Sequence, residues 1–253
     1  MDQTTQRENN ELILNPGQYA YMQDKTKGNV QTCVGPFVVT LSGQTRPIRY
    51  AEGKFHGVNL TDAPVSCVKA NKGQYVVLQN PAYGSDGQLS HPKVQDANTV
   101  IPTLQHGTKI VVPGPTQFAL WPEQQSKVID GHHLRTDQYL IARVYSEDVK
   151  WDEAVVEGEV KVKNLTLGQL IIIRGDEVSF YIPPTGIEVV ADVKGNYVRE
   201  ALTLERLQYC ILIDESGDKR YVRGPDVVFP LPTERFHTNG KGDRHFRPVE
   251  LNG

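Results

Sequence analysis

Few residues in this chain have the types and spacing that chemistry requires. His132 and His133 form its one histidine pair, and two neighbouring imidazoles can share a metal ion. Adjacent residues of a strand point to opposite faces, however, and no cysteine or carboxylate lies nearby at the spacing of a zinc site. We therefore expect a surface loop at this pair and no bound metal.

Three other stretches resemble binding or catalytic motifs and have simpler explanations. Residues 174–176, Arg-Gly-Asp, match an adhesion triplet but occupy a place where related stretches of this chain have Arg-Gly-Pro or Pro-Gly-Pro. Residues 214–218, Asp-Glu-Ser-Gly-Asp, have the composition of a calcium loop without its spacing or distal glutamate, which predicts a hairpin turn. Glu157 and Glu159 alternate along one strand face, which predicts a solvated edge.

No enzyme signature is present either. The sequence contains no nucleophile motif and no glycine loop of the phosphate-binding kind, so we expect no catalytic residue and no cofactor. Residues 235–248 are locally basic and include Phe236 and Phe246, a combination that suits single-stranded nucleic acid. One such stretch on a chain of net charge −3 does not favour nucleic acid. We expect an inter-repeat loop or a contact to a neighbouring subunit there.

The composition indicates an ordinary folded protein. Apolar residues make up 38% and charged residues 23%, which is typical of soluble domains. Residues 1–11 are polar, which predicts a flexible tail and no signal peptide, and no apolar run approaches a membrane span. Cys33, Cys67 and Cys210 form no CxxC pair, so we expect buried thiols in a reducing compartment. We expect a cytoplasmic protein with no membrane partner.

Short strands dominate the pattern. Apolar segments rich in β-branched and aromatic residues alternate with glycine-, asparagine- and serine-containing turns along the whole chain after residue 11. Only residues 123–129 and 197–209 have any helical pattern, and both stretches are short. The sequence therefore predicts an all-β fold.

The strand pattern repeats four times. Each unit opens on Gln-Tyr and later reaches Gly-Pro, with Gly-Asp in the third unit, followed within a few residues by phenylalanine. Glycine permits backbone angles that other residues avoid, proline ends a strand, and the phenylalanine can fill a small core. The predicted structural residues are Tyr19, Gly35, Pro36, Tyr75, Gly114, Pro115, Phe118, Tyr139, Gly175, Phe180, Tyr209, Gly224, Pro225 and Phe229.

The period divides the chain into a tail and four units. We predict a tail at 1–11 and β-repeats at 12–65, 66–134, 135–200 and 201–253, the last with the basic segment. The second and third units carry inserts, residues 82–105 and 145–164, which are typical of loops on a repeat scaffold. A unit of this size has a thin core, and stacking units end to end would cover the open faces. We therefore expect small antiparallel sheets arranged as an elongated stave.

These marks resemble the repeats of the major vault protein family. The resemblance is carried by LILNPGQYAYMQDKTKGNVQTCVGPFVVTL at 12–41, by YVVLQNP and VPGPTQFALWPE, and by QYCILIDESGDKRYVRGPDVVFPLPTE at 208–234, and it covers residues 12–236. It implies staves side by side in a closed barrel or ring, without catalysis. The chain is shorter than that family, lacks its coiled coil, and ends at VELNG where another repeat would start, as a truncated array would. Similar repeats occur in structural proteins of large tailed bacteriophages.

Two functions follow as expectations. The first is a non-enzymatic structural protein that assembles laterally with itself into a ring or barrel, in the cytoplasm or in a virion, with other structural or virion proteins as further partners. The apolar strands at 169–175 and 208–214 carry little charge, which favours their use as contact edges. The alternative is a binding module that presents the loops 82–105 and 145–164 to a protein or carbohydrate.

Overall fold

Strands form nearly all of the regular structure. The computed structural model describes residues 11–93, 101–160 and 165–247. Within these ranges the only helix is a three-residue 3-10 helix at Trp151–Glu153, and the sheets are small and antiparallel. The all-β prediction is confirmed, whereas the stave arrangement stays a prediction. The two stretches with helical character, 123–129 and 197–209, contribute to strands and a turn.

Two compact units divide the chain at residues 130 and 131, and each contains two groups of strands. In the first group of the first unit, the first and fourth strands pair with each other. The second strand lies in a separate sheet, between the third strand and the fifth. Two extra strands follow, of which the last pairs with the start of the second strand. The strands are β1 (Glu11–Leu14), β2 (Gln18–Asp24), β3 (Val30–Val34), β4 (Phe37–Thr40), β5 (Thr45–Ala51), β6 (Lys54–Gly57) and β7 (Val65–Ser66).

The second group of the first unit has the same pairing order. We name its five strands A to E in chain order: A pairs with D, and B lies between C and E. β1 to β5 are the A to E strands of the first group. The second group consists of β8 (Val68–Ala70), β9 (Gln74–Gln79), β10 (Lys109–Pro113), β11 (Thr116–Phe118) and β12 (Gln125–Asp130).

The second unit makes this arrangement twice more. Its first group is β13 (His132–His133), β14 (Gln138–Val144), β15 (Val155–Gly158), β16 (Leu170–Arg174), β17 (Val178–Ile182), β18 (Ile187–Val189) and β19 (Arg199–Glu200). Here the insert adds β15 to the outer edge of the D strand, β17. The last group is β20 (Leu202–Leu204), β21 (Tyr209–Ile213), β22 (Lys219–Arg223), β23 (Asp226–Val228) and β24 (Arg235–Phe236). We refer to the four groups as repeats 1 to 4.

A four-residue turn that ends in glutamine joins strand A to strand B in every repeat. The glutamine side-chain Oε1 accepts a hydrogen bond from the backbone N–H three residues earlier, so the side chain closes its own turn. The distances are 2.9 Å for Gln18, 2.8 Å for Gln74, 3.0 Å for Gln138 and 2.8 Å for Gln208. From the sequence, these glutamines only show where each repeat begins. Their recurrence at the same place in all four repeats is the one sequence signal for this hydrogen bond.

The recurring glycine between strands C and D lies against the same turn. Its backbone N–H donates to the carbonyl of the turn glutamine at 2.8 Å in all four repeats, at Gly35, Gly114, Gly175 and Gly224. A Cβ on any of the four would overlap the carbonyl oxygen of the first turn residue. Glycine is therefore required here by close backbone approach. The Gly-Pro peptide bonds at 35–36, 114–115 and 224–225 are cis.

Each repeat has its own small core between the A–D pair and strand B. Leu12, Leu14 and Met22 fill it in repeat 1, while Phe118 and Val76 fill it in repeat 2. The cores of repeats 3 and 4 centre on Leu140 with Tyr181, and on Leu204 with Leu212. Cys33 and Cys210 are buried, Cys67 is half-buried, and all three are free thiols.

The expectation that every repeat phenylalanine fills a core is wrong for Phe180 and Phe229. Phe118 fills its core, whereas the core position is taken by Tyr181 in repeat 3 and by Val228 in repeat 4. Successive residues of a strand point to opposite faces, so Phe229, one residue later, leaves that core. It lies half-buried against the ring of Tyr139, at 6.1 Å, and under the guanidinium of Arg174, at 5.1 Å.

His91 is a partly buried histidine of the first unit. Its ring stacks on Phe118 with 4.0 Å between centroids, and its buried Nδ1 has no hydrogen-bond partner among the described residues. Burial lowers the pKa of His91 from its ordinary 6.5 to about 4. The unfolded chain therefore binds a proton at a higher pH than the folded chain does.

We expect the first unit to lose stability as the pH falls from about 6.5 to about 4, because unfolding takes up a proton in this window. His91→Phe should remove this loss, since phenylalanine keeps the stacking and does not titrate. Thermal melts at about pH 7 and about pH 5 measure the difference. Equal losses of stability in the two proteins would show that another group causes the pH dependence.

Candidate functional site

The histidine pair lies on a strand, which corrects the expected surface loop. His132 and His133 form β13 and pair with Tyr181 and Phe180, because they occupy the A position of repeat 3. His132 is buried, with its ring 5.1 Å from that of Tyr197, whereas His133 is exposed. The two imidazoles belong to opposite faces of the strand, so they cannot hold one metal ion together.

The other candidate motifs lie at corners and turns. In the 174–176 triplet, Gly175 is the glycine between strands C and D and donates to the Gln138 carbonyl. Residues 214–218 join β21 to β22, with the Asp214 N–H donating to the Asp218 carbonyl at 3.1 Å, so the hairpin prediction is confirmed. Across residues 11–93, 101–160 and 165–247, no three His, Cys, Asp or Glu side chains are grouped to hold a metal ion.

The aromatic residues of the basic segment contact their own unit. Phe236 lies in β24 and pairs with Leu212, and the Arg244 guanidinium lies 5.7 Å from its ring. Phe246 exchanges backbone hydrogen bonds of 2.8 and 2.9 Å with Tyr209. This pairing repeats the way β7 and β19 pair with the start of strand B in repeats 1 and 3. The segment therefore has a structural role in repeat 4.

The described parts of the two inserts are folded against their repeats. Ala82 and Leu104 form a bridge and enclose Trp121 in a small core of their own. The indole N–H of Trp121 donates to the Ser90 carbonyl at 2.9 Å. The insert of repeat 3 supplies β15 to a sheet. Residues 94–100 and 161–164 of these inserts lie outside the described residues.

One face of a repeat contacts the next repeat in each unit. In the first unit, Tyr19, Tyr21 and Ile48 of repeat 1 pack with Ala119 of repeat 2, and the Tyr21 hydroxyl donates to the Leu120 carbonyl at 2.9 Å. In the second unit, Phe229 of repeat 4 packs on Tyr139 and Arg174 of repeat 3. Ala119 and Phe229 both lie five residues after their repeat glycine. We call this surface of strands B and C the repeat-contact face.

The repeat-contact face of repeat 4 lines an open groove of about 840 Å³. Tyr209 and Arg223 occupy the positions that Tyr139 and Arg174 hold in repeat 3. Leu207, in the turn before strand B, is 70% exposed, and Tyr221 in β22 is 61% exposed. Two large side chains with apolar surface and a neighbouring guanidinium therefore face a groove that is open among the described residues.

The C strands are sheet edges, and one of them is apolar. β3, β10, β16 and β22 each lie at the end of a sheet order, paired on one side with strand B. β10 has a lysine and a proline, and β22 has three basic residues, features that protect edges. β16 is Leu-Ile-Ile-Ile-Arg, and Leu167 in the preceding turn is 63% exposed. β3, Val-Gln-Thr-Cys-Val, has neither a charge nor a proline but carries two polar side chains, so β16 is the most apolar of the four edges.

The second strand expected to be an edge is not one. β21, the apolar strand of residues 208–214, lies between β22 and β24. It is a B strand, and the sequence did not reveal that the basic segment would supply its second partner. The backbone of β21 is therefore engaged on both sides and cannot pair with another molecule.

No protein-family model matches the chain, and no curated protein matches it. None of the helical structure in the described ranges is long and apolar enough to cross a membrane. Fold and surfaces together define an all-β chain of four groups of small antiparallel sheets.

Proposed function

We propose that this chain is a non-enzymatic structural protein that assembles laterally with copies of itself into a ring or barrel. The apolar edge strand β16 carries this proposal. The partners are further copies and other structural or virion proteins, and the assembly belongs in the cytoplasm or in a virion. The resemblance of the repeats to those of the major vault protein family supports the same function.

The backbone of β16 supplies the directional part of the contact. This strand pairs with β14 and with no other described strand. An edge that lacks lysine and proline is a template for another strand. Ile171 and Ile173 are buried in the core of repeat 3, whereas Leu170 and Ile172 are partly exposed. A neighbouring chain that pairs here would bury these two side chains together with Leu167.

A contact between two different patches propagates from copy to copy. A patch that meets a different patch on the next copy forms a heterologous interface, which repeats until a ring closes or a filament grows. The contact needs about 1,000 Å² or more of buried surface for a stable assembly. One strand pair with its flanking side chains is the centre of such an area.

Ile172→Lys tests the proposal. We expect the variant to lose lateral assembly, because the lysine puts a charge on the contact edge while its aliphatic stem keeps the fold. Val193→Lys is the matched control, since Val193 is fully exposed in the same unit and lies outside the strands. Light-scattering masses of the two variants and the parent chain decide between the outcomes.

An assembled Ile172→Lys protein with the parent's mass would contradict the role of β16. A parent chain that is monomeric at every concentration would favour a binding module instead. Thermal melts of both variants establish that a lost assembly does not reflect a lost fold.

A further inference from the structure

The open groove of repeat 4 has covered counterparts in repeats 1 and 3. There, the residue five positions after the glycine of the following repeat, Ala119 or Phe229, packs on the repeat-contact face. In repeat 4 the same face holds Leu207, Tyr209 and Tyr221 around the groove. The kind of surface that fits it is therefore the D strand of another repeat.

Leu207 is unusual for its position. It adopts a left-handed backbone with φ 68°, where repeat 1 has Gly17 at 79° and repeat 2 has Gly73 at 83°. A side chain in this conformation is strained, and this one is 70% exposed. An exposed leucine at a strained position contributes little to its own repeat, and such outliers are a reason to look for function.

The contact that this position makes is visible in the first unit. A Cβ added to Gly17 would lie 2.7 Å from the side-chain Nε2 of Gln117, in the D strand of repeat 2. Gly17 is the third residue of its turn, and Gln117 lies three residues after Gly114. The third turn residue of one repeat thus faces this D-strand position of the next repeat. Leu207 extends toward the place where such a D strand would lie.

Repeat 1 carries a matching surface. Val38 lies three residues after Gly35, the position that Gln117 has in repeat 2. It is 53% exposed and pairs across the sheet with Ile13, which is 57% exposed. Glu11 lies on the same outward side of β1. An exposed apolar pair beside a carboxylate complements a groove lined by leucine, tyrosine, Arg206 and Arg223.

We propose that the groove of repeat 4 binds the A–D sheet of repeat 1 of a second copy. Val38 and Ile13 pack against Leu207 and Tyr221, and Glu11 lies on the side of the groove arginines. The contact continues between copies the interface that successive repeats already make within each unit. It uses none of the β16 residues, so it goes beyond lateral assembly and adds an end-to-end contact.

The test uses the full chain carrying Ile172→Lys, which removes the lateral contact. In this background we expect a concentration-dependent mass above that of one chain. Leu207→Gly should weaken the association about ten-fold or more, because a buried leucine is worth about 1.5–3 kcal/mol. The same change should raise the melting temperature of the second unit, since glycine relieves the left-handed backbone. A destabilised fold therefore cannot explain the loss.

A mixing experiment identifies the occupant. In the same background, Val38→Asp disrupts the repeat 1 surface and Leu207→Gly weakens the groove, so each variant alone should be monomeric at a concentration just sufficient to associate the background chain. An equal mixture keeps one intact pair of surfaces and should form a dimer and nothing larger. Val193→Asp, at an exposed valine outside both surfaces, should leave the association unchanged.

The two proposals fail separately. Suppose that the parent assembles and that Ile172→Lys lowers its mass. If the Ile172→Lys chain is then monomeric, or keeps its remaining mass when Leu207→Gly is added, the end-to-end contact is overturned and lateral assembly stands. If Ile172→Lys leaves the mass unchanged while Leu207→Gly reduces it, lateral pairing through β16 is overturned and the groove stands. Absence of a dimer in the mixture shows that the occupant is not a second copy, which overturns the proposal.

Discussion

Replacing Trp121 with alanine is expected to destabilise the first unit by about 4 kcal/mol. The indole is 1% exposed and is enclosed by Ala82 and Leu104 of the insert. The Ser90 carbonyl also loses the indole N–H as its donor, so the variant has both a cavity and an unpaired carbonyl. Removal of a large buried aromatic side chain costs this much because the surroundings relax only partly.

Trp151 supplies the matched control, because it is the other tryptophan of the chain and is 37% exposed. Trp151→Ala should change the stability of the second unit by less than about 1 kcal/mol. Urea unfolding followed by circular dichroism measures both. If Trp121→Ala is no more damaging than Trp151→Ala, the insert does not pack on repeat 2 as described.

Gly114→Ala is expected to cost about 3 kcal/mol. The added methyl group would overlap the Asn71 carbonyl oxygen. The glycine cannot move away without breaking the hydrogen bond from its N–H to the Gln74 carbonyl. The substitution therefore distorts both the turn before strand B and the corner between strands C and D.

Gly43→Ala is the control in the same unit, because a Cβ there meets nothing within 4 Å. This change should be neutral or slightly stabilising, since alanine lowers the entropy of the unfolded chain. Chemical denaturation of both variants gives the comparison. Similar midpoints for the two proteins would refute the close approach that defines the repeat corner.

The sequence predicted the fold class because its local signals agree with the structure. Alternating apolar residues and glycine-containing turns produced strands, and the few helical patterns were too short to compete. The recurrence of Gln-Tyr and of glycine marked two positions that turn out to share a hydrogen bond in every repeat. Spacing alone could not show this contact, because it joins residues far apart in sequence.

The errors arise where pairing between distant segments decides the outcome. β21 is as apolar as β16, but only the fold shows that β24 covers its second edge. Phe229 differs from Phe118 by one residue of register, and one residue reverses the face of a strand. His132 is buried because β13 pairs with β17, a contact across the long insert of repeat 3.

The candidate surfaces were less accessible to sequence reasoning than the fold. The low charge of β16 was visible, and its position at an edge is a property of the sheet. Leu207 reads as an ordinary leucine in the sequence, and its significance comes from the left-handed backbone and from Gly17 at the same turn position. The groove of repeat 4 is visible only in the structure, where the same face of repeats 1 and 3 is covered.

The mass of the full chain in solution tests self-assembly most directly. Light scattering across a wide range of protein concentrations, followed by negative-stain imaging of the same samples, measures both size and closure. The proposal predicts a discrete mass many times that of one chain and closed rings or barrels in the images. A mass of one chain at every concentration, with no closed particles, would contradict it.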